Sequence, residues 1–224
     1  MSRRPTRRLP GAVLGMAAAL LLAGCSADPL NVIILNARAP GDKCKFDDAT
    51  IYVERGSQDF RNGYTYFFQA FSWENQMLPA PISVNGQVVD PGAGNDFIGD
   101  TIVYSYQYSD PSVVLSPETQ NMRASISAAA EPDKNFMGAD LIQPKAAAAL
   151  NATLTPTPQT LLVTFQMFGK TVAGVGKNTN KVSFPLTVYK SANTPLICNT
   201  GFVLSGGPCG IPGRDATVQC IPAS

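Results

Sequence analysis

The chain contains no histidine. Its absence excludes Ser-His-Asp and Cys-His nucleophilic catalysis, histidine-ligated metals and histidine pH switching together. No Cys-X-X-Cys pair occurs either, so a zinc site lacks its usual ligand spacing. Charge is scarce and balanced, with 17 Lys and Arg against 16 Asp and Glu in 224 residues. No basic patch of the kind that tracks a nucleic-acid backbone stands out. We expect no nucleic-acid partner, no metal and no cofactor. A long apolar run occurs only at residues 11–22. About 12 residues fall well short of the roughly 20 that a bilayer-spanning helix needs.

The setting of that short run explains it. Arg3, Arg4, Arg7 and Arg8 precede it without any acid, and Leu22-Ala23-Gly24-Cys25 closes it. A basic start, an apolar centre and small residues at the end make residues 1–24 a secretory signal. The paired arginines match a twin-arginine motif only in part. Leu22-Ala23-Gly24-Cys25 resembles the lipobox of bacterial lipoproteins, the pattern cut by signal peptidase II. The resemblance implies a diacylglyceryl thioether on Cys25 and an acylated amine, with palmitate among the acyl groups. Each buried CH2 contributes about 0.8 kcal/mol, and two or more chains anchor stably. The expected membrane partner is therefore reached through the lipid on Cys25. Ser26 resembles the outer-membrane default of such proteins, on the periplasmic face or the cell surface.

Four of the 17 basic residues lie in this leader, which leaves 13 against 16 acids and a net charge of −3. The rest of the chain is long enough for one large or two small domains with a real core. Its cysteines are Cys44, Cys198, Cys209 and Cys220. An even number in an exported chain reads as two disulfides, with three possible pairings. We favour Cys209–Cys220 as a local loop and Cys44–Cys198 as a clasp. By loop entropy these stabilise by about 2.5–3 and about 5 kcal/mol.

Residues 25–43 read as a lipid-anchored tether, with breakers at Asp28-Pro29 and Ala39-Pro40-Gly41. Leu30–Leu35 interrupts it as a first strand or as a segment packed near the membrane. As coil, the tether spans about 25 Å. Over residues 44–190 the dominant period is two. Ala49, Ile51 and Val53 alternate with polar neighbours, as do Ile102, Tyr104, Tyr106 and Tyr108. Met122–Ala128, Leu161–Met167 and Val182–Val188 repeat the pattern. Tyr64, Tyr66 and Phe68 share one face; Phe67, Phe71 and Trp73 take the other. Pro185 should put its strand at an edge or a bulge. Asn85-Gly86, between valines, is a hairpin signal. Lys145–Leu150, after Pro144, predicts one or two helical turns. We expect an all-β fold, an antiparallel immunoglobulin-like β-sandwich with a short helical connection.

Residues 191–224 are rich in Gly and Pro and predict an irregular tail held by disulfides. Gly207-Pro-Cys-Gly-Ile-Pro-Gly-Arg-Asp-Ala-Thr-Val-Gln-Cys220 resembles the cysteine-bounded tail of uncharacterised lipoproteins of myxobacteria. Gly169–Gly174, Val182–Val188 and Val53-Glu-Arg-Gly56 are similar to segments upstream of such tails. The resemblance spans most of residues 44–220. It implies an exported β-rich envelope lipoprotein and brings no activity with it.

Three constellations carry potential chemistry. Ala173–Thr179 approaches a phosphate loop, but Thr171 stands where its first Gly belongs and Asn178 where Ser or Thr belongs; a hairpin turn fits better. Asp90, Asn95, Asp96 and Asp100 share one loop and could offer oxygens to Ca2+, although turns favour these residues for their own backbone bonds. Asp47, Asp48, Glu54 and Asp59 are the candidate acids of a paired-carboxylate hydrolase. Tyr104, Tyr106 and Tyr108 form a stripe that is either core or a binding face for a glycan or protein partner. Trp73 reads as core. The expected role is non-catalytic: binding or bracing an envelope partner. The alternatives are a surface module recognising glycans or neighbouring cells, and a carboxylate-dependent envelope hydrolase.

Overall fold

The computed structural model describes residues 30–40, 45–46 and 51–223. Cys25, Cys44, Asp47 and Asp48 lie outside the described residues. In chain order the strands are β1 (Val32–Arg38), β2 (Gly56–Asp59), β3 (Phe68–Asn75), β4 (Ile82–Val84), β5 (Gln87–Asp90), β6 (Phe97–Tyr108), β7 (Glu118–Ile126) and β8 (Phe136–Asp140). Helix α1 (Pro144–Thr153) follows, then β9 (Gln159–Thr171), β10 (Gly176–Asn178), β11 (Val182–Tyr189), β12 (Phe202–Leu204) and β13 (Cys220–Pro222). The fold is mostly β, in antiparallel sheets. One sheet has the order β1-β3-β8, and a six-stranded one has β2-β11-β9-β6-β7 with β10 folded back onto β9. β4–β5 and β12–β13 are separate two-stranded ladders. The exception to antiparallel pairing among these ladders is β2, which runs parallel to β11.

The period-two stretches become strands because each has one face to bury. Ile102 and Tyr104 of β6, Leu161, Val163, Phe165 and Met167 of β9, and Phe184, Leu186 and Val188 of β11 point the same way into the core. β3 supplies the opposing rings. Phe71 lies 5.0 Å from Phe165 and 6.0 Å from Phe184 between ring centroids, and Trp73 packs edge-on to Phe97. A single core cluster draws on both large sheets and on Ala147 and Leu150 of α1. β6 and β9 approach closely where Gly99 faces Gly169. A Cβ on Gly169 would stand 2.1 Å from the Ile98 carbonyl oxygen, so no larger residue fits without moving the strands.

Pro185 sits opposite Leu162 of β9, and β2 pairs with β11 only from Leu186 onward. The missing N–H therefore falls where β11 is still a local edge. Asn85 and Gly86 both have positive φ, and they join β4 to β5 as a tight hairpin turn. Helix α1 is longer than the one or two turns expected. Its first-turn amides Lys145 N and Ala146 N donate to the Glu118 carboxylate of β7 at 3.0 and 2.8 Å. A carboxylate at a helix N-terminus satisfies orphan donors and the dipole together.

Four expectations need correction. Residues 32–38 are not tether: β1 is hydrogen-bonded to β3, and Val32 and Ile34 are core. Ala49–Glu54 does not form a regular strand over its described residues. It makes one isolated bridge, Tyr52 to Arg38, because β1 ends there, and Ile51 and Tyr52 remain exposed. The tail is not irregular throughout, since β12 and β13 pair within it. Cys220 stands opposite Leu204 in that ladder, and it forms a disulfide with Cys198, four residues before β12, in place of the favoured Cys209–Cys220 and Cys44–Cys198. Cys209 is also in a disulfide.

Candidate functional site

The tyrosine stripe leads, through Gln143, to a cleft that holds Asp140. Tyr104, Tyr106 and Tyr108 follow one another on the inward face of β6, but not as a row open to solvent. Tyr104 is fully buried, and Tyr106 and Tyr108 are partly covered. Their hydroxyls are used inside the fold. Tyr104 Oη donates to Gln120 Oε1 at 2.9 Å, and Tyr106 Oη accepts from Gln143 N at 3.2 Å. Gln143 Nε2 donates to Gln120 Oε1 and to the Asp140 carbonyl. Burial pushes both phenols well above the ordinary tyrosine range. A Tyr104→Phe change removes one hydrogen bond and leaves Gln120 with its Gln143 partner. We expect a loss of about 1 kcal/mol in urea unfolding.

Beside this network, β8 and the start of α1 frame a cleft of about 320 Å3, lined by Thr65, Tyr66, Asp140, Ile142, Pro144 and Ala147 among others. Asp140 is its acid. Burial raises the carboxyl pKa, and hydrogen bonds from Phe67 N and Ile142 N oppose that rise. A carboxyl whose pKa is raised by folding stabilises the fold most when protonated. That contribution is lost as pH rises from the unfolded value of about 3.9 through the folded one. Asp140→Asn keeps an acceptor for Phe67 N without the buried charge. Its stability relative to the parent should therefore increase between pH 4 and pH 7, read as the difference in unfolding free energy at the two pH values. No second carboxylate lines the cleft, so Asp140 has no acid partner there for paired-carboxylate chemistry.

The other sequence candidates are placed as follows. Asp59 is fully buried and accepts from Arg61 N, Ser191 N and Val218 N, while Glu54 is exposed elsewhere. Asp90 takes the amides of Gly92 and Ala93, and Asp96 that of Ala128. These bonds lower the Asp90 pKa. Among the described residues, no group of three or more Cys, Asp or Glu converges as a metal site. Ala173–Thr179 is the turn between β9 and β10 together with β10 itself. Trp73 is core.

Sequence reasoning missed a second polar junction, where the tail meets the body. Arg214 is 1% exposed. Its guanidinium lies 4.9 Å over the Phe67 ring, and Nη2 donates to Gln69 Oε1 at 3.1 Å. Burial lowers its pKa against the pull of Asp215, whose carboxylate is 3.5 Å from Nε. Gln69 in turn donates to the Arg38 carbonyl. The available signal was Gln69 itself, a polar residue at the strand positions shared by Phe67, Phe71 and Trp73.

Comparison with protein-family models, curated proteins and solved structures finds no match to this chain. Among the described residues, no helix is long and apolar enough to cross a membrane.

Proposed function

We propose that this protein is a lipid-anchored component of a bacterial cell envelope, held at the outer membrane through Cys25, with a non-catalytic role in binding or bracing an envelope partner. The observation that carries the reading is the Cys198–Cys220 disulfide in a β-rich fold behind a lipobox, which suits an oxidising compartment. The three-stranded and six-stranded sheets stack face to face as an immunoglobulin-like sandwich. The contacts of Phe71 with Phe165 and Phe184 support that arrangement. Buried carboxylates that accept backbone amides, as Asp59 and Asp140 do, support a structural use of acids. The burial of Tyr104 weighs against a glycan platform built on the tyrosine stripe.

β1 begins at Val32, so only Ser26–Asn31 separate the anchor from the folded body. Six extended residues reach about 20 Å at most. The test is metabolic labelling with an alkyne fatty acid. Label should enter the parent chain and be lost in Cys25→Ser. Equal labelling of both, or of neither, would sink the anchor. Protease treatment of intact against lysed cells, with a tag between Gly206 and Gly207, then separates cell surface from periplasm.

A further inference from the structure

One end of the molecule is apolar without a packing reason. β4 and β5 form a two-stranded hairpin that adds nothing to the core cluster. Val84, Val88 and Val89 are 54, 59 and 62% exposed, and Leu78 at the hairpin's base is 77% exposed. No charged residue occurs between Glu74 and Asp90. A lone hairpin is marginal in water, and exposed valines on it gain nothing from the fold.

The hairpin is not isolated in space. Gly94 N donates to the Ala80 carbonyl, and the Gly94 and Asp96 carbonyls accept from Ala173 N and Val172 N. The β9–β10 turn, with exposed Val172 and Val175, is thereby fastened beside the hairpin. Asp90 and Asp96, the acids nearest the hairpin, have their carboxylates taken up by backbone amides. Lys170, at the base of the turn opposite Gly176, is exposed. The chain also enters here: Gln76 N donates to the Asn31 carbonyl at 2.7 Å, and Val32 bridges Thr179. Leu30, beside that entry, is exposed as well.

We propose that the β4–β5 hairpin and the Val172–Gly176 turn are a membrane-contact surface, which lies in the headgroup–acyl boundary of the bilayer that holds the anchor. This rests on the lipid-anchor reading, and it explains why the apolar end coincides with the point six residues from Cys25. A short tether brings this end to the bilayer at high effective concentration. Leu and Val side chains then leave water, and a rim lysine meets anionic headgroups. The protein would stand in a fixed orientation, with the 109–117 loop at the far end of β6 pointing away. β6 has twelve residues and is about 40 Å long at roughly 3.3 Å per residue.

The test uses the full lipidated chain in vesicles of phosphatidylethanolamine and phosphatidylglycerol, with and without phosphatidylcholine brominated on its acyl chains. Val88→Trp reports on the hairpin. Val114→Trp, at an 85% exposed site in the far loop, is the control. The native Trp73 is buried and gives a constant background. Brominated lipid should reduce the added Val88→Trp emission by about twofold or more and leave Val114→Trp unchanged, as expected of a ring at the acyl boundary. Equal quenching of both, or of neither, overturns the proposal. So does shielding of Val88→Trp that brominated lipid does not quench, which would put protein on the hairpin. Acyl labelling of the same preparations reports the anchor separately. A labelled chain with unquenched Val88→Trp sinks the surface and keeps the anchor; an unlabelled chain with quenched Val88→Trp does the reverse.

Discussion

Asp59→Ala is expected to lower the unfolding free energy by about 3–5 kcal/mol, since three amides, one buried and two part-buried, would lose their acceptor at about 1–3 kcal/mol each, not fully additively. Asp59 Oδ1 takes Arg61 N and Ser191 N, both at 3.0 Å, and Oδ2 takes Val218 N at 3.3 Å. These donors belong to three segments: the turn after β2, the chain leaving β11 and the tail. Alanine removes the acceptor of all three, at a position where Asp59 itself has no exposed surface. Asp59→Asn separates charge from hydrogen bonding. Its carbonyl can serve Arg61 and Ser191, while its NH2 would face the Val218 donor. It should lose about half as much as alanine by the same accounting. Urea unfolding followed by far-UV circular dichroism measures both. A loss below about 1 kcal/mol for Asp59→Ala would mean that the tail is not held by this carboxylate.

The second large effect concerns the disulfide. Cys198 and Cys220 are 22 residues apart. Loop entropy assigns such a cross-link about 3 kcal/mol. Replacing both cysteines with alanine should lower stability by that amount and loosen the segment between them. Arg214 lies inside this loop and is buried over Phe67. Trypsin should therefore spare the Arg214–Asp215 bond in the parent and cut it in the double variant, with the fragment read by mass spectrometry. An uncut bond in the double variant would show that Gln69 and Phe67 hold the tail without the cross-link.

The strands were legible where one face met the core and the other met water. β6, β9 and β11 keep that alternation along most of their length. β2 was not legible, because Gly56-Ser57-Gln58-Asp59 offers no apolar residue. It is a strand because β11 presents an open edge from Leu186 and because the tail gives partners to Gln58 Nε2 and the Asp59 carboxylate. β3 is mixed: its aromatic face could be read, but Gln69, Ser72 and Asn75 are buried as well, each with partners distant in sequence. The stripe of Tyr104, Tyr106 and Tyr108 could be read as a period, but not which side it would face. The cleft at Asp140 depends on the segment before β3, the end of β8 and α1 meeting, and no local pattern announces that. Disulfide pairing failed for a related reason. Sequence spacing favoured the nearer partner for Cys220, whereas the folded tail places Cys198, 22 residues away, at a Cα–Cα distance of 5.6 Å.

The hydrogen bonds that close the fold join its ends. Val218 reaches Asp59 across 159 residues, and Asn180 holds Ile34 across 146. β2 has no sheet until β11 exists, and the entry to β1 bridges a residue just past β10. Sheets built from such distant pairings form late and slowly. A chain emerging N-terminus first can pair β1, β3 and β8 once Asp140 is out, but it cannot complete the six-stranded sheet until β11, in its last fifth, has appeared. The six-stranded sheet therefore stays open through most of synthesis and any passage through a pore, and it closes late. A shortened chain that lacks the Arg214–Val218 region would leave Asp59, Gln69 and Phe67 without the contacts they make there, and should be recovered as aggregate or degraded product rather than as a smaller folded domain.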